Sequence, residues 1–368
     1  FTSNSWECSG DGAAMAYEAG ADLLDMEFVQ FHPTGMIWPP GARGILVTEA
    51  VRGEGGLLFN AEGSRFMLDY DPVKKELSSR DVVARSIYKE VQAGRGSTHH
   101  GAYLDIRHRG ADYIKKKLPS MYEQFHALGG VDITVEPMEI YPTIHYTMGG
   151  VWADPETCAT TVAGLYAAGE VAAGLHGANR LGGNSLSDIM VFGRRAGMAA
   201  AEFAKSVAHA EVSTAQIEPE TAALLAPLNR TSGENPYKIH QELQEAMQTN
   251  CMIARTEKGL LACLEKILEL QTRAENLAAP GDRRYNPGWH AARDLRFMLR
   301  TSEIIVRCAL ERKESRGAQW RLDYPNRDDG GWGKKNLIAT LGTNGVAITT
   351  RPLPEMPAEL KALIEEGK

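Results

Sequence analysis

The run His176-Gly-Ala-Asn-Arg180-Leu-Gly-Gly-Asn184-Ser185-Leu186 constrains this chain more than any other stretch. It stands between an apolar run, residues 161–168, and a long Ala- and Met-rich segment. The apolar run is bounded by glycine and reads as a buried strand ending at Gly169-Glu170. The segment that follows predicts a helix from Ser185 to about Val207, with Asn184 or Ser185 as its cap. A helix start has unpaired backbone N–H groups and the positive end of a dipole, so it favours negative charge. Arg180 adds a cation, and the glycines let backbone come close to a ligand. A flat, electron-rich cofactor held beside an anionic substrate needs these features together.

Other glycine- or proline-bounded segments add donors. His32 lies in His32-Pro-Thr-Gly, after a predicted strand over 26–31. Thr48, Glu49 and Arg52 lie in Val-Thr-Glu-Ala-Val-Arg-Gly-Glu-Gly-Gly, and Arg80-Asp81 stands at a predicted helix start. His145 lies in a predicted loop over 141–150. A lone histidine is more often a packing residue, and a lone arginine a surface charge. Several such segments together suit a small dicarboxylate, which needs donors at both ends, and arginine offers a planar fork for each carboxylate. Glu170, after the apolar run, can accept from ribityl or ribose hydroxyls. Asp11, between two glycines at the start of a short helix over 13–19, is an N-cap or a nucleotide contact. His99-His100 has no third ligand at metal spacing, and Gly53-Glu54-Gly55-Gly56 lacks the lysine and hydroxyl of a phosphate loop.

The rest of the chain divides by pattern. Residues 36–140 mix short strand-like pieces (45–48, 57–59, 103–106, 131–135) with helices over about 80–93 and 111–127. Helical periodicity returns at 218–228, 236–250, 255–276 and 289–314, and strand-like stretches at 336–341 and 346–350. The net charge of −7 excludes bulk attraction to nucleic acid. Five cysteines without CxxC spacing fit a reducing compartment and exclude an iron–sulfur or structural zinc centre built from them. No apolar run reaches the roughly 18 residues of a membrane helix. The chain begins at Phe1, inside a pattern, so an N-terminal part is expected outside this numbering.

These segments, with Ser-Arg80-Asp-Val-Val, His145-Tyr-Thr-Met-Gly-Gly, Arg-Lys-Glu-Ser-Arg316-Gly-Ala and Asp323-Tyr-Pro-Asn-Arg-Asp-Asp329, stand in one order along nearly the whole chain. In that order they resemble the flavoprotein subunits of succinate dehydrogenases and fumarate reductases. The resemblance implies an α/β + α fold: a split, Rossmann-like FAD-binding domain (1–32 and 141–207), an inserted α+β capping domain (33–140), a helical-bundle domain (208–314) and a small C-terminal α+β domain (315–368). It implies that Arg80 shuttles a proton, with Glu49 and Arg52 relaying it to solvent. It implies that His32, Thr48, His145 and Arg180 bind the dicarboxylate, and that Asp11, Glu170, Asn184, Ser185 and Leu186 contact FAD. No metal is implied. Oxidation of succinate to fumarate is expected, with electrons leaving to a separate iron–sulfur subunit, then to quinone at a membrane anchor. A peripheral place on the cytoplasmic face of a bacterial inner membrane follows, or on the matrix side in mitochondria. The fumarate reductase direction, L-aspartate oxidase and a non-catalytic assembly fragment are the alternatives. The family's GxGxxG strand and flavin-linking histidine are not in this sequence, and Gln319 stands where many relatives carry histidine.

Overall fold

The computed structural model describes residues 1–209, 211–343 and 345–366. One antiparallel sheet joins β1 (Leu23–Leu24), β6 (Gly150–Val151), β7 (Lys335–Gly342) and β8 (Gly345–Pro352) in the order β6-β1-β7-β8. The other joins β2 (Val29–Met36), β3 (Leu57–Phe59), β4 (Ala102–Asp105) and β5 (Met138–Thr147) in the order β2-β5-β4-β3. Around the sheets lie α1 (Asp11–Glu18), α2 (Ala50–Gly53), α3 (Met67–Tyr70), α4 (Arg80–Glu90), α5 (Ala111–Lys117), α6 (Pro119–Gly129) and α7 (Asn184–Ser206). Then follow α8 (Thr214–Asn229), α9 (Pro236–Asn250), α10 (Glu257–Ala274), α11 (Pro287–Glu311) and α12 (Ala358–Glu366).

The β2 strand is longer than the sequence pattern implied, because the predicted turn His32-Pro-Thr-Gly35 is part of it. Pro33 has no N–H to give, but β2 is an edge strand and its register with β5 shifts between His32 and Gly35. Proline is tolerated at such an edge irregularity. The predicted loop at 141–150 is corrected likewise: β5 runs on to Thr147 because it pairs with β2 from Val29 to His32 as well as at Gly35 and Met36. All eight β2 residues are buried, so Gln30, His32 and Thr34 must find polar partners inside.

Behind this sheet, α4 and α6 close a core of Val51, Leu58, Val83, Ile87, Phe125 and Ile140. Residues 45–48 form only a bridge, Gly35 to Leu46, and 131–135 form a turn held by Asp132. The helix expected over 111–127 is two helices. Leu118, before Pro119, leaves the helical region (φ −128°, ψ 46°), as a residue before proline tends to do.

The helices α9, α10 and α11 share a second core. Their starts carry strong signals: Asn235, Thr256 and Asn286 accept backbone N–H groups, and Pro236 and Pro287 open α9 and α11. In α10, Leu260, Cys263, Ile267 and Leu270 bury one face at helical spacing.

The strand predicted over 161–168 is absent. Only a bridge from Ala159 to Tyr166 forms, and Leu165 and Tyr166 are half-buried. A buried strand needs ladder partners on its edges, and among the described residues none lies there. The helix α7 follows as expected, yet only Asp188 along it is buried, and Leu186, Met190 and Met198 are exposed. The strands β7 and β8 do not stand apart at the C-terminus; they extend the sheet of β1 and β6.

Candidate active site

Three elements converge at one end of β2: the start of α4, the 176–183 loop and the 47–49 segment. Thr34 pins the last of these, donating from Oγ1 to the Val47 carbonyl (2.7 Å) and accepting Val47 N–H at its own carbonyl (3.0 Å). This sets Thr48 beside the strand and Glu49 at the start of α2. Ser78-Ser79 ends the preceding turn, so Arg80 is the first residue of α4. Its Nε and Nη2 both donate to Glu49 Oε2 (2.9 and 2.6 Å), and Nη1 donates to Gln30 Oε1 (3.2 Å). A side chain at Gly182 would stand 2.9 Å from that Glu49 oxygen and 3.2 Å from Arg80 Nη2. The loop thus passes close over the ion pair, and a side chain at 182 would have to displace it.

Arg180 is buried, with its guanidinium 4.4 Å from the Tyr146 ring centre. Its Nε has no partner. Burial, then the positive charge of Arg80, lowers its pKa. A buried guanidinium N–H without an acceptor marks a place for an anionic oxygen. His145 shares the site. Burial, then Arg80 and Arg180, hold it at about 4, so it is neutral near pH 7. Its Nδ1 lies 2.8 Å from Ser3 Oγ, and its ring meets that of His32 edge-on at 5.1 Å. His32 is pushed well below its ordinary value by burial, Arg80 and His145. Burial works to raise the Glu49 pKa, but the bonds and charge of Arg80, with Arg52 and Arg180, win and lower it.

The structure therefore gathers Arg80, Glu49, His32, Thr48, His145 and Arg180. Arg52 points elsewhere. It is buried, 3.9 Å from Glu49 Oε1, and donates inward to the Glu76 carbonyl. Two of its nitrogens have no partner. Glu49, at 44% side-chain exposure, reaches solvent.

The other candidates line a neighbouring surface. Glu170 accepts Thr147 N–H (3.0 Å), and burial raises its pKa. Val171 packs where a side chain at Gly12 would go, which brings the start of α1, with exposed Asp11, beside this turn. Ile189 of α7 packs likewise against Gly169. Asn184 and Ser185 do not cap α7. Gly183, left-handed at φ 83°, is the cap residue, and no side-chain bond closes the end. First-turn N–H groups, the exposed carboxylate of Glu170 and the exposed Leu186 fit a flat, hydroxyl-bearing cofactor such as a flavin nucleotide.

Sequence reasoning missed Gln30, Asn179 and Tyr146. A glutamine inside an apolar strand pattern was the available signal, since a polar group there must be satisfied.

Comparison with known proteins agrees. Residues 1–186 match the FAD binding domain family, and residues 240–362 the fumarate reductase flavoprotein C-terminal family. A polypeptide of the CoM/CoB fumarate reductase of Methanothermobacter marburgensis is 48% identical over 88% of the chain and 58% of its own length. The fumarate reductase flavoprotein subunit of Escherichia coli is 39% identical over 96% of the chain and 62% of its own length. The solved structure of Mycobacterium smegmatis Sdh1 in complex with UQ1 superposes on the whole chain with a TM-score of 0.85 and 48% identity, covering 62% of that protein. The chain thus spans about 60% of the length of the relatives it matches. It belongs to the family of FAD-dependent succinate dehydrogenase and fumarate reductase flavoprotein subunits.

Proposed function

We propose that this chain builds the dicarboxylate site of a flavoprotein that oxidises succinate to fumarate. The observation that carries the reading is the Arg80–Glu49 pair lying beside Arg180, His145 and His32. Arg180, through its unpartnered Nε, binds one carboxylate, and His32, His145 and Thr48 hold the other. Neutral histidines serve here as directed hydrogen-bond donors rather than as counter-charges. Glu170, Asn184, Ser185, Leu186 and Asp11 hold FAD, which when bound accepts the hydride lost from one methylene. The neighbouring methylene loses a proton, and the C=C bond forms. Arg80 takes that proton after passing its own to Glu49, which returns it to solvent. A guanidinium pKa above about 12 opposes this step. The adjacent cations Arg180 and Arg52 favour it, and the two bonds to Glu49 Oε2, which themselves stabilise the cation, give the proton its path. Arg52 keeps positive charge behind Glu49.

The reverse direction has a specific support, the name of the Methanothermobacter relative. Electron exit through a separate iron–sulfur subunit to quinone at a membrane anchor belongs to the same reading, supported by the UQ1 in the Mycobacterium smegmatis complex. A peripheral place on the cytoplasmic face of the membrane fits that assembly. Among the described residues, no helix is long and apolar enough to cross a membrane.

The test uses the flavin-loaded subunit that contains this chain. Arg80→Lys and Arg80→Gln are expected to lower succinate turnover with an artificial acceptor by about 10²–10⁴-fold while flavin stays bound. Near-wild-type turnover in either variant, or oxidation of aspartate in place of succinate, removes the reading.

A further inference from the structure

Gln30 has no part in the reaction above, yet it is 1% exposed and its amide is fully engaged. Oε1 accepts from Arg80 Nη1 (3.2 Å). Nε2 donates to the Arg180 carbonyl (2.7 Å) and to Asn179 Oδ1 (2.8 Å). Chemistry fixes this orientation, because a guanidinium only donates and a backbone carbonyl only accepts. Asn179 Nδ2 in turn donates to Asp81 Oδ1 (2.9 Å). Asp81 follows Arg80 in α4, so the bonds close a ring: Arg80, Gln30, Asn179, Asp81, and back along the helix.

The ring answers a mechanical need. Both bonds from Arg80 to Glu49 end on the same oxygen, which leaves the guanidinium free to pivot about it. A third bond, on Nη1, stops the pivot. The nitrogen of that same amide holds the backbone of Arg180. We propose that Gln30 is a positioning residue, the one amide that sets the proton-moving guanidinium of Arg80 in register with the carboxylate-binding loop of Arg180. This rests on the roles of Arg80 and Arg180 proposed above. Glutamate in its place would keep the acceptor for Arg80 but turn an oxygen against the Arg180 carbonyl. Leucine would lose all three bonds and leave a buried carbonyl and guanidinium N–H short of partners.

The test compares Gln30→Leu, Gln30→Glu and Arg80→Gln in the flavin-loaded subunit, with flavin content measured in each. Gln30→Leu is expected to lower kcat by about tenfold or more and to raise KM for succinate about fivefold, since small misplacements at a reacting centre cost factors of this order. Gln30→Glu adds a carboxylate beside Arg80, and the alkaline shift it gives to the pH profile of kcat is expected to be about one unit. If Arg80→Gln is inactive while Gln30→Leu stays within about twofold of wild type, Gln30 has no such role and the site reading stands. A fall in kcat with KM and pH profile unchanged also overturns the proposal, because it marks a purely structural residue. Should Gln30→Leu lose its flavin, the pH profile of Gln30→Glu decides. Full activity in Arg80→Gln removes the reading of the site and the role of Gln30 with it.

Discussion

Arg80 and Glu49 meet through three atoms: two guanidinium nitrogens and one carboxylate oxygen. The other oxygen, Oε1, stays 3.9 Å from Arg52 and is open to a proton. Around this pair, charge and burial decide protonation. His145, held at about 4 against an ordinary 6.5, contributes to stability through its neutral form. The unfolded chain binds that proton near pH 6.5 and the folded chain only near 4. Stability from this group is therefore complete above about pH 6.5 and is lost as pH falls towards 4. Urea midpoints measured across that range should fall with pH, and His145→Gln should flatten the fall. The residues of the site were legible in the sequence where glycine or proline punctuated them, as at His32, His145 and Arg180, and Arg80 where a helix start was written. Gln30 stood out only as a polar residue in a strand pattern, which does not say what it reaches across to, and Tyr146 lay in a stretch that read as a loop.

Elements differed in how plainly their ends were written. Helices α9, α10 and α11 each begin with a residue whose side chain takes the first free N–H groups, and their predicted starts fall within two residues of the observed ones. Thr256 accepts Gly259 N–H at 3.1 Å, so Thr256→Ala should destabilise by about 1 kcal/mol, visible as a lowered Tm with no change in KM. Strands were harder to place. Residues 161–168 have the composition of a buried strand, but a strand exists only through its neighbours, and periodicity along one segment does not reveal them. The opposite error occurred at 141–147, where proline and polar residues hid a strand that pairing with β2 secures. At the start of α7 the sequence offered two capping side chains, and backbone geometry used the glycine before them.

At the scale of the molecule, one buried cation ties the parts together. Arg312, at the end of α11, bonds Glu27 and lies 3.0 Å from Asp25 and 3.2 Å from Glu314. Removing it leaves buried Glu27 without a side-chain partner and takes the cation from Asp25, while Glu314 keeps Arg316. Arg312→Met should therefore cost about 3–5 kcal/mol, read as a loss of folded subunit or a large drop in the denaturation midpoint. Replacing Glu27 by Gln in the same variant should recover part of the loss. Asp25 also takes Leu337 N–H (2.7 Å) and the Asn336 amide, both in β7. Burial first, then Glu27, pushes its pKa up to about 7. The residue directly before it, Leu24, pairs with Ile338 near the opposite end of the sequence. During synthesis, β1 must wait for β7 to leave the ribosome before it gains that neighbour. Until then Asp25 stands in water as an ordinary ionised carboxylate, and the strand that reaches it brings, in the Leu337 N–H and the Asn336 amide, two donors that favour its charge.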